Sequence, residues 1–316
     1  MADPCGSRWI HPAVILIATD LSDLDRLMPF ALEQAQEAHS RLILLHAIAS
    51  SATMTVDAVG MPYYDPSGAL EVAEKVLRPW CDAARRRGVE CNSIVREGHP
   101  AQQIAAAARQ FQVDRIILGT RGRGRLGKML LGSVAEQVLR SVNLPVITVG
   151  PEAHLPVLSS DDERVVLHAT TLRETSRPSA ALACQLAAEL KAKLVLLHVL
   201  PPAEEMMHEG EISDFDAAAA RELRALATDT AGGCNLSIET IVHHGNPSIE
   251  ILAEAADRRA SLIVLGATHR SAFDNLTHDR TVYRVLAHAR CPVLTLREAQ
   301  AKDAEAQPEQ TSAFHV

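Results

Sequence analysis

The chain has 316 residues and a mass of 34.1 kDa, which suits two domains better than one. It is 47% hydrophobic and 22% charged, ordinary values for a globular protein, with only 3% aromatic residues and a formal net charge of -8. That balance argues against a base-stacking nucleic-acid surface, non-specific DNA binding and attachment to an anionic membrane.

The first apolar run, 14–18, predicts a strand, and 22–39 follows with apolar residues at helical spacing. Ser22, with Asp25 three residues on, is the expected cap of that helix. Strands at 42–46, 92–95, 115–118 and 146–149 alternate with helices at 67–87, 100–111 and 133–142. The strand runs are short and continuously apolar, the pattern of strands buried on both faces. Strand and helix in alternation give an α/β parallel sheet.

The same order then recurs. Val14-Ile15-Leu16-Ile17-Ala18-Thr19-Asp20 matches Val165-Val166-Leu167-His168-Ala169-Thr170-Thr171, and Leu44-Leu45-His46-Ala47 matches Leu196-Leu197-His198-Val199. Gly98 matches Gly245, Gly119 matches Gly266 and Pro145 matches Pro292, a constant offset of 147. A fixed offset over such a length marks a duplication. The expected domains are 13–150 and 163–297, joined by a Pro-, Ser- and Asp-rich segment, with 298–316 a disordered tail. The first 155 residues carry 16 basic and 16 acidic side chains, against 15 and 23 beyond them, so the acidity belongs to the second half. No apolar run approaches the roughly 20 residues needed to span a bilayer. The N-terminus lacks the pattern of a signal peptide. The six cysteines form no CxxC pair and are expected to be reduced thiols. The expected location is therefore the cytoplasm.

In parallel sheets of this kind ligands gather beyond the carboxyl ends of the strands. After the fourth run comes Gly119-Thr120-Arg121-Gly122-Arg123-Gly124-Arg125-Leu126-Gly127-Lys128-Met129-Leu130-Leu131-Gly132-Ser133. Glycines permit close backbone approach, the cations add positive charge, and the helix opening at Gly132-Ser133 supplies unpaired N–H groups. All three suit a phosphate. Gly122-x-Gly124-x-x-Gly127 fits the dinucleotide fingerprint, but it follows the wrong strand, and no acidic residue stands in the window about 20 positions on. Gly122-x4-Gly127-Lys128 is one residue from a P-loop, but Met129 stands where a hydroxyl must hold Mg²⁺.

Gly119-x2-Gly122-x9-Gly132-Ser133 between strand and helix resembles the ATP-binding motif of the universal stress protein family. Ala18-Thr19-Asp20-Leu21-Ser22, Leu45-His46-Ala47, Gly98-x-Pro100 and Leu144-Pro145-Val146 extend the resemblance over nearly the whole chain, as a tandem. It implies two repeated, doubly wound domains of the adenine-nucleotide alpha-hydrolase-like type, each a five-stranded parallel sheet flanked by helices. It implies ATP, with Mg²⁺, as the ligand. Asp20 would accept from the ribose or the base, and Ala47 would line the adenine pocket. Gly119, Gly122 and Gly132 would let the backbone wrap the phosphates, and Ser133 would donate to one of them. It also implies association through the last strand: 146–149 and 293–296 pairing within one molecule, or a homodimer of the tandem.

At the offset of 147, Gly122 becomes His269, Gly132 becomes Asp279 and Ser133 becomes Arg280, while Thr171 stands for Asp20. A carboxylate beside a phosphate repels it by about 1 kcal/mol in water and more in a buried site. ATP is therefore expected in the first domain only. His243, His244, His269, His278 and Asp279 match no zinc spacing, so no metal site is expected. His46 and His198 are expected to be structural. No nucleophile elbow, HExxH or Cys/His signature is present, so no catalytic residue is assigned. The expected function is a nucleotide-responsive stress regulator acting on an unidentified protein partner. The alternatives are a slow ATPase or autophosphorylating enzyme, and a scaffold indifferent to nucleotide.

Overall fold

The computed structural model describes residues 7–48, 54–56, 62–64, 66–120, 131–153, 163–202, 209–231, 236–268 and 279–298. The first lobe comprises α1 (Ser7–Ile10), β1 (Val14–Thr19), α2 (Leu24–Ala38), β2 (Arg41–Ile48), β3 (Met54–Val56), β4 (Pro62–Tyr64), α3 (Pro66–Arg86), β5 (Cys91–Glu97), α4 (Pro100–Gln110), β6 (Arg115–Gly119), α5 (Ser133–Ser141) and β7 (Val146–Val149). The second comprises β8 (Val165–Ala169), a 3₁₀ turn (Glu174–Ser176), α6 (Arg177–Glu189), β9 (Lys193–Leu200), α7 (Glu209–Ala231), β10 (Ile238–His244), α8 (Pro247–Asp257), β11 (Leu262–Thr268), α9 (Asp279–His288) and β12 (Val293–Glu298). The expected tail beyond Glu298 and most of the joining segment fall outside the described residues.

Ten strands form one sheet in the order β10-β9-β8-β11-β12-β7-β6-β1-β2-β5, while β3 and β4 make a separate antiparallel ribbon that the apolar pattern did not reveal. Each lobe contributes five parallel strands, and the halves meet through the antiparallel pair β7 and β12. Ile147 lies opposite Leu294, its counterpart at the offset of 147, and Val146 and Thr148 lie opposite Thr295 and Val293. The duplication thus becomes a pseudo-twofold axis through the Ile147–Leu294 pair, with the strands of the two lobes running in opposite directions. This pairing uses the β7 and β12 edges within the chain. A homodimer would need another surface.

The central strands are largely apolar because both faces are covered, whereas the edge strands β5 and β10 carry polar residues and are mostly half-buried. Leu16 and Ala18 join a core under α4, α5, α8 and α9, while Ile15 and Ile17 join one under α2, α3, α6 and α7. Each core runs across both lobes. Arg164 adds an ion pair across the junction, reaching Glu33 at 3.2 Å and Glu37 at 3.0 Å on α2. Arg115 is almost wholly buried and donates to Gln34 and to the carbonyl of Trp9, which ties α1 to β6.

Candidate functional site

In the first lobe the chain runs β1, β2, β5 outward on one side and then returns to place β6 and β7 on the other. The strand order therefore reverses between β1 and β6, and a ligand crevice opens at that point. Ala18 lies opposite Leu118, so Thr19-Asp20 and Gly119-Thr120 leave the sheet side by side. Asp20 is half-buried immediately after β1. Gly119 ends β6, and Gly132 N–H returns to the Thr120 carbonyl at 2.7 Å. The glycine segment thus departs from and re-enters the fold at one spot. Residues 121–130, Gly122 among them, lie outside the described residues. Ser133 opens α5 with an exposed side chain. Gly132 has φ -63° and ψ 139°, a conformation open to any residue, so a need for glycine there would come from close approach rather than from backbone strain.

Two sequence expectations need adjustment. Ser22 does not cap α2. The helix starts at Leu24 after Asp23, and the Ser22 N–H and hydroxyl both donate to Asp20 Oδ1, at 2.9 and 2.6 Å. The nearer carboxylate wins the competition and folds 20–22 into an Asx turn. Ala47 sits inside β2 rather than after it, because β2 pairs with β5 as far as Ile48↔Glu97. It is half-buried beside the α4 face of the core.

Beneath Asp20 lies a bonded pair that sequence reasoning missed. The Thr19 hydroxyl donates to Asp23 Oδ1 at 2.6 Å and accepts from Leu21 N–H at 2.9 Å. Leu21 takes the left-handed conformation, φ 72°, to complete this turn. Burial pushes the Asp23 carboxyl up to about 6, against the opposing pull of the Thr19 hydroxyl. The only sequence signal was Thr19 four residues before Asp23. His46 Nδ1 lies 2.8 Å from the Thr19 carbonyl, which fits the expected structural role. Gly98 closes the far side with φ 128°, where a side chain would be strained, and donates to the Ile48 carbonyl at 2.9 Å.

The second lobe repeats this frame. Leu172 has φ 59° and donates to Thr170 Oγ1, His198 Nδ1 lies 2.9 Å from the Thr170 carbonyl, and Gly245 has φ 139°. The acids differ: Thr171 replaces Asp20 and pairs with Ser176 at 2.8 Å, and Glu174, at the Asp23 position, is exposed on its 3₁₀ turn against Arg177. α9 begins at Asp279, where α5 begins at Ser133, while 269–278 lie outside the described residues. His243 pairs with Glu250 at 3.1 Å and His244 with Asp216 at 2.6 Å. Among the described residues no cluster of three metal-ligating side chains occurs, and no helix is long and apolar enough to cross a membrane.

Comparison with known proteins gives a concordant result. The family model described as "Universal stress protein family" matches residues 13–150 and 163–297. A universal stress protein of Mycolicibacterium smegmatis is 25% identical over 310 residues, covering 90% of this chain and 96% of that protein. One from Thermus aquaticus is 34% identical over 139 residues, 43% of this chain and 96% of its own length. The crystal structure of a universal stress protein from Archaeoglobus fulgidus superposes with a TM-score of 0.65 at 20% identity, covering 91% of this chain and 99% of that one.

Proposed function

The chain belongs to the universal stress protein family, and on that premise we propose that it binds ATP in its first lobe alone and acts as a nucleotide-responsive regulator of a stress response. The observation that carries this reading is the convergence at the β1/β6 crevice. Asp20, the two ends of the glycine segment and the start of α5 meet where the strand order reverses. The donor set fits a nucleotide. In this reading Asp20 would accept from the ribose or the base, Ala47 would line the adenine pocket, and the amides and hydroxyl at the start of α5 would receive phosphates. Mg²⁺ would enter with the triphosphate, since such ions take one or two carboxylates and the substrate's own oxygens.

Exclusion from the second lobe rests on Thr171, which offers no carboxylate, and on Asp279, which brings a negative charge to the phosphate end. Regulation would follow if ATP favours one of two arrangements of the glycine segment, because a ligand shifts an equilibrium only by its differential affinity. The domain division at 13–150 and 163–297, with the binding motif intact in the first and degenerate in the second, is part of the same proposal.

The test is to denature freshly purified protein, identify released nucleotide by mass spectrometry, and titrate the emptied protein with Mg·ATP by calorimetry. One ATP per chain is the expected stoichiometry, abolished in Gly122→Glu, Gly132→Asp. Two per chain, or none at millimolar ATP, would sink the reading.

A further inference from the structure

α3 presents Ala73, Leu77, Cys81 and Ala84 to the sheet, a buried stripe at helical spacing. The chain then turns through Gly88, φ 79°, and enters the edge strand β5 at Cys91. This tight return lays the two cysteines together. Their sulfurs are 3.1 Å apart, with the Cys91 thiol donating to Cys81 Sγ, and both residues are buried. That separation exceeds a disulfide bond by only about 1 Å. Of the other two described cysteines, Cys184 donates to Thr230 Oγ1, and Cys291 is buried two residues before β12. In the second lobe Ile238 stands where Cys91 does, at the offset of 147. The pair therefore belongs to the first lobe alone.

From this contact we infer that Cys81 and Cys91 form a dithiol that a peroxide converts to an intramolecular disulfide, clamping the C-terminal end of α3 to the edge strand. The chemistry suits the two sulfurs unequally. The hydrogen bond from Cys91 lowers the pKa of the Cys81 thiol, and Arg85, one turn along α3, adds a smaller pull in the same direction. That guanidinium is held in place by Asp82 Oδ1 at 3.0 Å and by the Cys91 carbonyl. Cys91 is pushed up by donating that bond and by burial, which makes it the resolving thiol rather than the attacking one.

The Cys81 thiolate attacks one peroxide oxygen, the O–O bond breaks, and the departing hydroxide takes a proton to leave as water. Cys81 is then a sulfenic acid. The Cys91 sulfur attacks Cys81 Sγ, the S–O bond breaks, and the hydroxyl leaves with the Cys91 proton as a second water. Two thiols lose two electrons and one peroxide becomes two waters. Both sulfurs are buried, so peroxide must enter at the sheet edge, where among the described residues β5 has no further strand beside it.

The experiment is a hydrogen peroxide titration of the full chain, followed by alkylation under denaturing conditions, digestion and mass spectrometry. The expected product is a Cys81–Cys91 cross-linked peptide about 2 Da lighter than its parts, restored by dithiothreitol, with Cys184 and Cys291 still alkylatable. In Cys91→Ser, dimedone should trap a sulfenic acid on Cys81. In Cys81→Ser, Cys91 should stay unmodified at the same dose. Full alkylation of Cys81 and Cys91 in treated wild-type protein whose circular dichroism shows it folded overturns the inference. So does a disulfide joining either of them to Cys5 or Cys234 instead.

Discussion

After β1 the first lobe places Thr19, Asp20 and Asp23, whereas after β8 the second places Thr170, Thr171 and Glu174. The turn is the same in both. Leu21 and Leu172 adopt left-handed conformations, each donates to the preceding threonine hydroxyl, and a histidine from the next strand contacts the threonine carbonyl. The acids differ: Asp23 is buried in the first lobe, and its counterpart Glu174 is exposed in the second. The backbone frame is thus independent of the acids beside it, because its hydrogen bonds are local. A second contrast lies one residue pair earlier. Ile17 of β1 corresponds to His168 of β8, which is wholly buried, contacts the Val264 carbonyl through Nδ1 at 3.0 Å, and leaves Nε2 without a partner among the described residues.

The comparison breaks most visibly at the glycine segment. Gly122→Glu, Gly132→Asp should reduce ATP affinity by more than about 100-fold, read by calorimetry, since Gly132→Asp imports the carboxylate of Asp279 and Gly122→Glu adds a second negative charge. Asp20→Ala should weaken binding by about 10–100-fold through loss of charge-assisted hydrogen bonds, while Thr171→Ala, at the matching position of the second lobe, should leave affinity unchanged. Equal losses from both substitutions would mean that the second lobe is also occupied.

His168 sharpens the contrast through pH. Burial depresses it from 6.5 to about 4, so its neutral form is the folded one. Its contribution to stability is complete above pH 6.5 and is lost as pH falls towards 4. His168→Ile, the residue already accepted in β1, should remove up to about 3 kcal/mol of acid sensitivity in urea melts between pH 7 and pH 4. Asp23 has the opposite sign. Its carboxyl is raised from 3.8 to about 6, so folding favours the protonated form and stability falls as pH rises through that interval. Asp23→Asn should add up to about 2 kcal/mol at pH 7.5 and nothing near pH 3.5, as followed by the same melts. The smallest effect belongs to the junction. Arg164→Ala removes partly exposed pairs to Glu33 and Glu37 and should cost less than about 1 kcal/mol, with a loss that shrinks in high salt.

Much of this architecture could be read in advance. The duplication, the strand and helix order and the position of the glycine segment all followed from local patterns: apolar period, glycine placement and a constant offset. The placement of Asp20 and Gly119 at the carboxyl ends of β1 and β6 was legible because residues that end buried strands are constrained by the sheet itself. The Ser22 cap does not form because two carboxylates, Asp20 and Asp25, compete for the Ser22 backbone N–H, and spacing alone does not rank them. The Thr19–Asp23 bond gave no signal beyond its spacing, since whether that carboxyl is buried depends on how α2 leans on the sheet.

The amino-acid order by itself determined two βα repeats, two-sided burial of every central strand, and a glycine-rich crossing in one repeat but not the other. Those properties arise from side-chain chemistry at fixed separations along the chain. The tertiary structure alone decided that Ile147 faces Leu294, that His168 is wholly buried, and that two thiols ten residues apart touch. Edge pairing is made by backbone groups that every residue carries, and burial is conferred by whichever helix lies above. Neither leaves a mark in the sequence until the chain has folded.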